Sequence, residues 1–217
     1  MQHKIELKFM DSTRLATDVF SEWAEQGRDI GMEKGHSASV SEMLESAIPH
    51  LPQPFSAIDI GCGNGWVVRK LATLGARRVE GVDGASEMIA NARAIDPSGT
   101  YHEEKLPEWT PENRFDLVHT MEFLYYLKSP QEMLTKIHDE WLEDGGWLVA
   151  GVDHYLEHEA SLDWPETLNV HMTTMSIDEW KTLMKKAGFR NIKIWQAAAT
   201  DNFSGTLAML GQHALDS

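Results

Sequence analysis

The stretch IDIGCGNG, residues 58–65, is followed at once by Trp66. An apolar run ends in three glycines at alternate positions, Gly61, Gly63 and Gly65, which lets backbone come very close to a ligand. From Phe55 onward the chain repeats strand, loop and helix. FSAIDI (55–60) reads as a first strand, and WVVRKLATL (66–74) as a helix closed by Gly75. RRVEGVD (77–83) and SEMIANARAI (86–95) repeat the unit, and a short strand follows near Thr100–His102. FDLVHTM (115–121) is a fourth strand, then SPQEMLTKIHDEWL (129–142) a helix with Pro130 at its first position. WLVAGVD (147–153) is a fifth strand. Ser176 and Glu179 form a capping box ahead of a helix that stops at Gly188. NIKIWQA (191–197) and GTLAMLGQ (205–212) read as a terminal hairpin. Strands alternating with helices predict an α/β fold, a Rossmann-like, mostly parallel sheet of seven strands with helices on both faces. The C-terminal hairpin would add its antiparallel strand.

The first fifty residues lack strand alternation and read as a helical lid. DSTRLATDVFSEWAEQ (11–26) spaces Leu15, Val19, Phe20 and Trp23 as one helix, with Asp11 or Ser12 as its cap. The glycines of GRDIGMEKGH (27–36) break the pattern, and Ser39–Glu42 resembles a capping box opening a second helix. Residues 1–50 are therefore expected as a cap, and 51–217 as the main domain with a lid-like insertion at 153–175.

Bulk properties narrow the function. Of 217 residues, 42% are hydrophobic and 24% charged, ordinary for a soluble globular chain. No apolar run approaches the ~18 residues of a membrane span, and the first residues have no signal-peptide core. One cysteine excludes an internal disulfide and fits a reducing compartment, the cytoplasm. The net charge is −15, with only 19 scattered Lys and Arg, so nucleic acid is not an expected partner.

The glycine loop follows a strand and opens a helix, the place of a nucleotide site in this architecture. It lacks the Gly-Lys-Ser/Thr of a triphosphate loop. A dinucleotide loop wants a small residue where Trp66 stands, and Asp59 would repel a pyrophosphate. A second acid, Asp83, ends the second strand at the spacing that holds ribose hydroxyls. Two acids and no phosphate receptor point to S-adenosyl-L-methionine, which is cationic and carries a ribose.

Here the chain resembles the class I S-adenosylmethionine-dependent methyltransferases, including the ubiquinone- and menaquinone-biosynthesis methylases and many small-molecule methylases. AIDIGCGNGWVVRKLA, VEGVDGASEMIANAR, LPEWTPENRFDLVHTMEFLYYL, WLEDGGWLVAGVDHY and AGF carry the resemblance in order, over residues 55 to about 190. It implies that Gly61 and Gly63, with Cys62 and Asn64 in the same loop, lie against the methionine part of the cofactor, which Asp59 orients. Asp83 would take the ribose hydroxyls, with Gly84, Ala85 and Met88 beside the adenine. Glu103 or Glu104 would meet the adenine amine, and Thr120 and Met121 the sulfonium side. Cys62 is a small packing residue in that loop.

In-line displacement from a sulfonium needs chiefly a well-placed nucleophile, and a base only where the acceptor carries a proton at neutral pH. Phenol-methylating relatives often have His in the LEH following strand four. Tyr126 stands there, a pocket wall more than a base, because a phenol titrates near about 10. His154 and Tyr155, just past strand five, are candidates on the acceptor side, and His36 and His171 sit in loops able to close over it. No metal is expected. The expected acceptor is a small molecule, O-, N- or C-methylated by a monomer or homodimer. The alternatives are a tRNA or protein methyltransferase working with a partner subunit, and a non-catalytic S-adenosylmethionine binder.

Overall fold

The computed structural model describes residues 13–214. Seven strands form one sheet: β1 (Ser56–Ile60), β2 (Arg78–Asp83), β3 (Thr100–Glu103), β4 (Phe115–Met121), β5 (Leu142–Val152), β6 (Arg190–Ala197) and β7 (Thr206–Gln212). Their order is β3-β2-β1-β4-β5-β7-β6. Neighbours pair in parallel from β3 through β5. β7 lies antiparallel to β5 and β6, so the terminal hairpin enters the sheet as expected.

Seven α-helices accompany the sheet: α1 (Ala16–Glu25), α2 (Ile30–Ala47), α3 (Trp66–Thr73), α4 (Ser86–Ile95), α5 (Pro130–Lys136), α6 (Trp164–Leu168) and α7 (Ile177–Lys186). β1 is buried along its whole length, the mark of a strand covered on both faces. On one face Ile58, Ile60, Val118, Leu148 and Met209 pack with Trp141, Trp180 and Met184. On the other, Ala57, Leu117, Val149 and Leu210 pack with Val40, Met43, Leu44 and Leu71. At roughly 1.5–3 kcal/mol for each large apolar side chain buried, these two layers hold the sheet in place.

The N-terminal region differs from expectation. α2 begins at Ile30 and runs unbroken through Gly31, Gly35 and the Ser39–Glu42 stretch. Its buried face, Val40, Met43, Leu44 and Ala47, lies on the sheet, and that packing outweighs the roughly 1 kcal/mol each glycine costs a helix. Leu15 stands at the α1 N-cap with no side-chain cap bond; the expected caps Asp11 and Ser12 lie outside the described residues. The later capping box is present: Glu179 N–H donates to Ser176 Oγ, and Ser176 N–H to Glu179 Oε2.

Candidate functional site

The carboxyl ends of β2, β1, β4 and β5 lie side by side in that order and open into a cavity of about 580 Å³, within the usual 300–1,000 Å³ for small-molecule sites. At the β2 end Asp83 lines the wall. Its Oδ2 accepts from Gly63 N–H at 2.9 Å and its Oδ1 from Ala85 N–H at 2.8 Å. Burial pushes this carboxyl up while those two amides pull it down. Gly61 and Gly63, both at positive φ, form the floor beside it. A Cβ on Gly61 would stand 2.9 Å from Phe123 Cβ, so the loop must be glycine to leave its shape and the cavity intact. Gly84, Met88 and Met121 complete this end. A second hollow next to it is lined by Gly84, Glu103, Glu104, Lys105, Glu108 and Trp109.

Other residues expected here stand behind the wall. Asp59 is buried at 2% exposure, its Oδ1 2.6 Å from His119 Nδ1, so its carboxylate answers a histidine and does not line the cavity. Thr120 turns inward and donates to Ile60 O at 2.9 Å. Asn64 donates to Asp29 Oδ2 at 3.0 Å. Cys62 and Ala85 are buried and absent from the lining; burial drives the Cys62 thiol well above its ordinary range, which fits packing and not nucleophilic attack. Of Asp59 and Asp83, it is thus Asp83 that lines the cavity.

Past the glycine loop, at the β4 and β5 ends, the lining becomes aromatic: Phe20 and Trp23 from α1, Phe123, Tyr125 and Tyr126 after β4, and Trp164 from α6. Tyr126 is pushed up by burial and then by Glu122. His154 and Tyr155, expected as catalytic candidates, are not brought to this wall. Neither lines the cavity. Both His154 ring nitrogens are engaged, Nδ1 with Ser161 O at 2.9 Å and Nε2 with Thr174 Oγ1 at 2.8 Å. Tyr155 donates to Gly205 O and accepts from Gln196 Nε2, each at 2.9 Å. His171 is exposed, 3.1 Å from Thr173 Oγ1.

The residue the sequence reading passed over is Glu122, an isolated acid in HTMEFLYYL (119–127). Its φ of +58° is rare for a side-chain-bearing residue. Such strain concentrates at functional positions. Its N–H donates to Gly151 O at 3.0 Å. Its Oε1 accepts from Asp153 N–H at 2.5 Å and its Oε2 from Tyr125 OH at 2.7 Å. Burial first, then the Asp153 carboxylate, raise Glu122 well above the usual carboxylate range. Asp153 is itself buried, with Oδ1 unpartnered among the described residues and Oδ2 3.7 Å from Nδ1 of His36, a lining residue. Burial lowers the His36 pKa against the pull of Asp153.

These features fit S-adenosylmethionine. Asp83 keeps oxygen lone pairs for two ribose hydroxyls, the loop glycines leave room for backbone approach, and no lysine or arginine among the lining residues would call for a phosphate. The group supplies an activated methyl; the chain supplies the acid, the glycine floor and the aromatic wall.

Comparison with known proteins agrees. Residues 32–194 match the family described as "Methyltransferase domain". A tRNA U34 carboxymethyltransferase of Histophilus somni is 26% identical over 163 residues, covering 69% of this chain and 50% of that protein. The Shewanella baltica protein of the same name is 33% identical over 100 residues, 43% of this chain and 30% of that one. The chain thus spans half or less of the length of these curated relatives. A putative Haloferax volcanii methyltransferase, solved in complex with the Trm112 methyltransferase activator, has a TM-score of 0.78 at 26% identity, covering 90% of this chain and 98% of that one. An S-adenosylmethionine-dependent methyltransferase of Mesorhizobium loti shares the fold, with a TM-score of 0.68 at 20% identity over 81% of this chain and 97% of that one.

These relatives correct the expectation about partners. A small-molecule acceptor, no nucleic acid, and a monomer or homodimer do not stand beside relatives named for tRNA and a structural neighbour held by a second protein. The acidity that suggested otherwise belongs to one chain and says nothing of the surface a partner brings. No helix among the described residues is long and apolar enough to cross a membrane.

Proposed function

The chain belongs to the methyltransferase-domain family, and we propose that this S-adenosylmethionine-dependent methyltransferase acts on tRNA in the cytoplasm together with a small activator subunit. The observation that carries the reading is the pairing of tRNA-named relatives with a net charge of −15. RNA binding draws on basic side chains that displace counterions, and a chain this acidic needs that surface from elsewhere. The likeness to a methyltransferase held by a Trm112 activator supports the form the help takes. The aromatic end of the cavity suits a flat group drawn out of a base stack.

Asp83 anchors the ribose, Gly61 and Gly63 admit the methionine part, Gly84 and Met88 border the adenine, and Glu103 and Glu104 flank its edge from the second hollow. α1 and the 153–175 segment act as the lid, with Phe20, Trp23 and Trp164 facing the acceptor. The group transferred is methyl and not the carboxymethyl of the relatives' name, because no described residue lining the main cavity is a lysine or arginine able to receive a carboxylate, and Lys105 lines only the second hollow.

The test is transfer of labelled methyl from S-adenosylmethionine to bulk tRNA, by the chain alone and with a co-expressed Trm112-type subunit. Label should enter tRNA, and the subunit should raise the rate at least tenfold. Incorporation into protein or small metabolites with none into tRNA would overturn the proposal.

A further inference from the structure

The geometry points to a basic amine nitrogen as the methyl acceptor, held as its ammonium by the Glu122 carboxyl group and relieved of a proton by His36. This rests on the methyltransferase reading and names the chemical class of the group the tRNA presents.

The placement is set by the sheet. Asp83 ends β2, the glycine loop follows β1, and Glu122 and Asp153 follow β4 and β5. Glu122 is therefore on the far side of the loop from the ribose anchor, among Phe20, Tyr125 and Tyr126. A buried acid pair ordinarily has a lysine or arginine partner. None is among the lining residues; Arg28 stacks on Trp23, 3.9 Å from the ring centroid, without joining them. One Asp153 oxygen has no described partner, and the positive φ of Glu122 fixes its carboxyl where Tyr125 OH and Asp153 N–H hold it. A carboxyl group within an aromatic enclosure suits an ammonium, whose charge favours the ionised form of Glu122 over the protonated form that burial favours, whereas a carboxylate or phosphate acceptor would find no opposite charge there.

The proton has a destination. His36 lines the same cavity and burial keeps its imidazole neutral, with the Asp153 carboxylate 3.7 Å away to steady the charged form. The ammonium gives one N–H proton to His36, and the freed lone pair forms the new N–C bond. The S–C bond breaks with its electrons left on sulfur as a thioether, and the positive charge passes to nitrogen. No further reactant is needed.

Benzylamine, benzyl alcohol and benzoate, of nearly one size, separate the charge classes. Titrated at pH 7.5 into the chain saturated with S-adenosylhomocysteine, benzylammonium should bind at least tenfold more tightly than benzyl alcohol, and benzoate not measurably. Glu122→Gln/Asp153→Asn, and Glu122→Gln alone, should remove at least tenfold of the ammonium affinity while S-adenosylhomocysteine binding reports an intact fold. Equal affinity for the alcohol or benzoate, no ammonium binding, or unchanged affinity in both variants would overturn the assignment. So would a variant that loses S-adenosylmethionine relative to S-adenosylhomocysteine but keeps the ammonium, since the carboxyl groups would then serve the donor. None of these outcomes depends on tRNA, so this idea and the tRNA proposal fail separately.

Discussion

Replacing Glu122 by Gln should make the protein more stable at alkaline pH and flatten its stability against pH. Burial, then Asp153, hold the folded carboxyl well above its ordinary 4.5. Between those two values the native state carries a proton that the unfolded chain has released, so stability falls as pH rises. The contribution is full below the unfolded value and is lost as pH climbs through the folded one. The groups facing Glu122 are Asp153 after β5, Tyr125 and Tyr126 after β4, and His36 on α2. The tyrosines are raised and do not titrate at neutral pH. His36 is lowered, so it acts with opposite sign, but only below its ordinary value; measurements above about pH 7 avoid it. One proton is worth about 1.4 kcal/mol per pH unit. At about 2–4 °C per kcal/mol for a chain of this size, the native protein should lose about 3–6 °C of Tm per pH unit more than Glu122→Gln while the folded Glu122 keeps its proton. Asp83 and Cys62, also raised, contribute equally to both proteins and cancel. Thermal unfolding followed by circular dichroism measures the difference. Parallel pH curves for the two proteins would refute the assignment of a raised Glu122.

Two further substitutions probe the donor end. Asp83→Ala should weaken S-adenosylhomocysteine binding at least about 100-fold in calorimetry, since hydrogen bonds to a charged group contribute roughly 1.5–3 kcal/mol each; a change under threefold would remove Asp83 from the ribose site. Gly61→Ala should cost about 1–2 kcal/mol in urea unfolding, from its φ of +69°, with more from the 2.9 Å contact to Phe123 Cβ; unaltered stability would mean the loop relaxes freely.

How much of this was legible in the chain depends on which interactions decide each feature. β1, β4 and β7 were readable because a largely apolar run bounded by turn residues has few other uses, and strands buried on both faces look like that. α2 was not. Ser39–Glu42 and Ser176–Glu179 carry the same local signal, yet one lies mid-helix and the other is a true cap. The difference is tertiary: Val40, Met43 and Leu44 press on the sheet, while a Cβ at Gly31 or Gly35 would meet nothing within 4 Å, so the glycines need not interrupt the helix. At the site, the expected residues fall at the sheet edge that carries the cavity, but only some of their side chains line it. Asp153 and His154 are adjacent at the end of β5, and the chain's turn there sends His154 to Ser161 and Thr174 while Asp153 joins Glu122 and His36. Asp59 lies behind the wall for a related reason, because a buried histidine on the neighbouring strand, His119, claims its carboxylate. Glycine spacing therefore points to the donor end, whereas the far end depends on which of two consecutive residues, Asp153 or His154, turns toward Glu122 and His36. That choice is made by hydrogen bonds between segments distant in sequence, and Glu122 owes its place to two of them, its N–H donating to Gly151 O and its carboxyl accepting from Asp153 N–H, some thirty residues on in the chain.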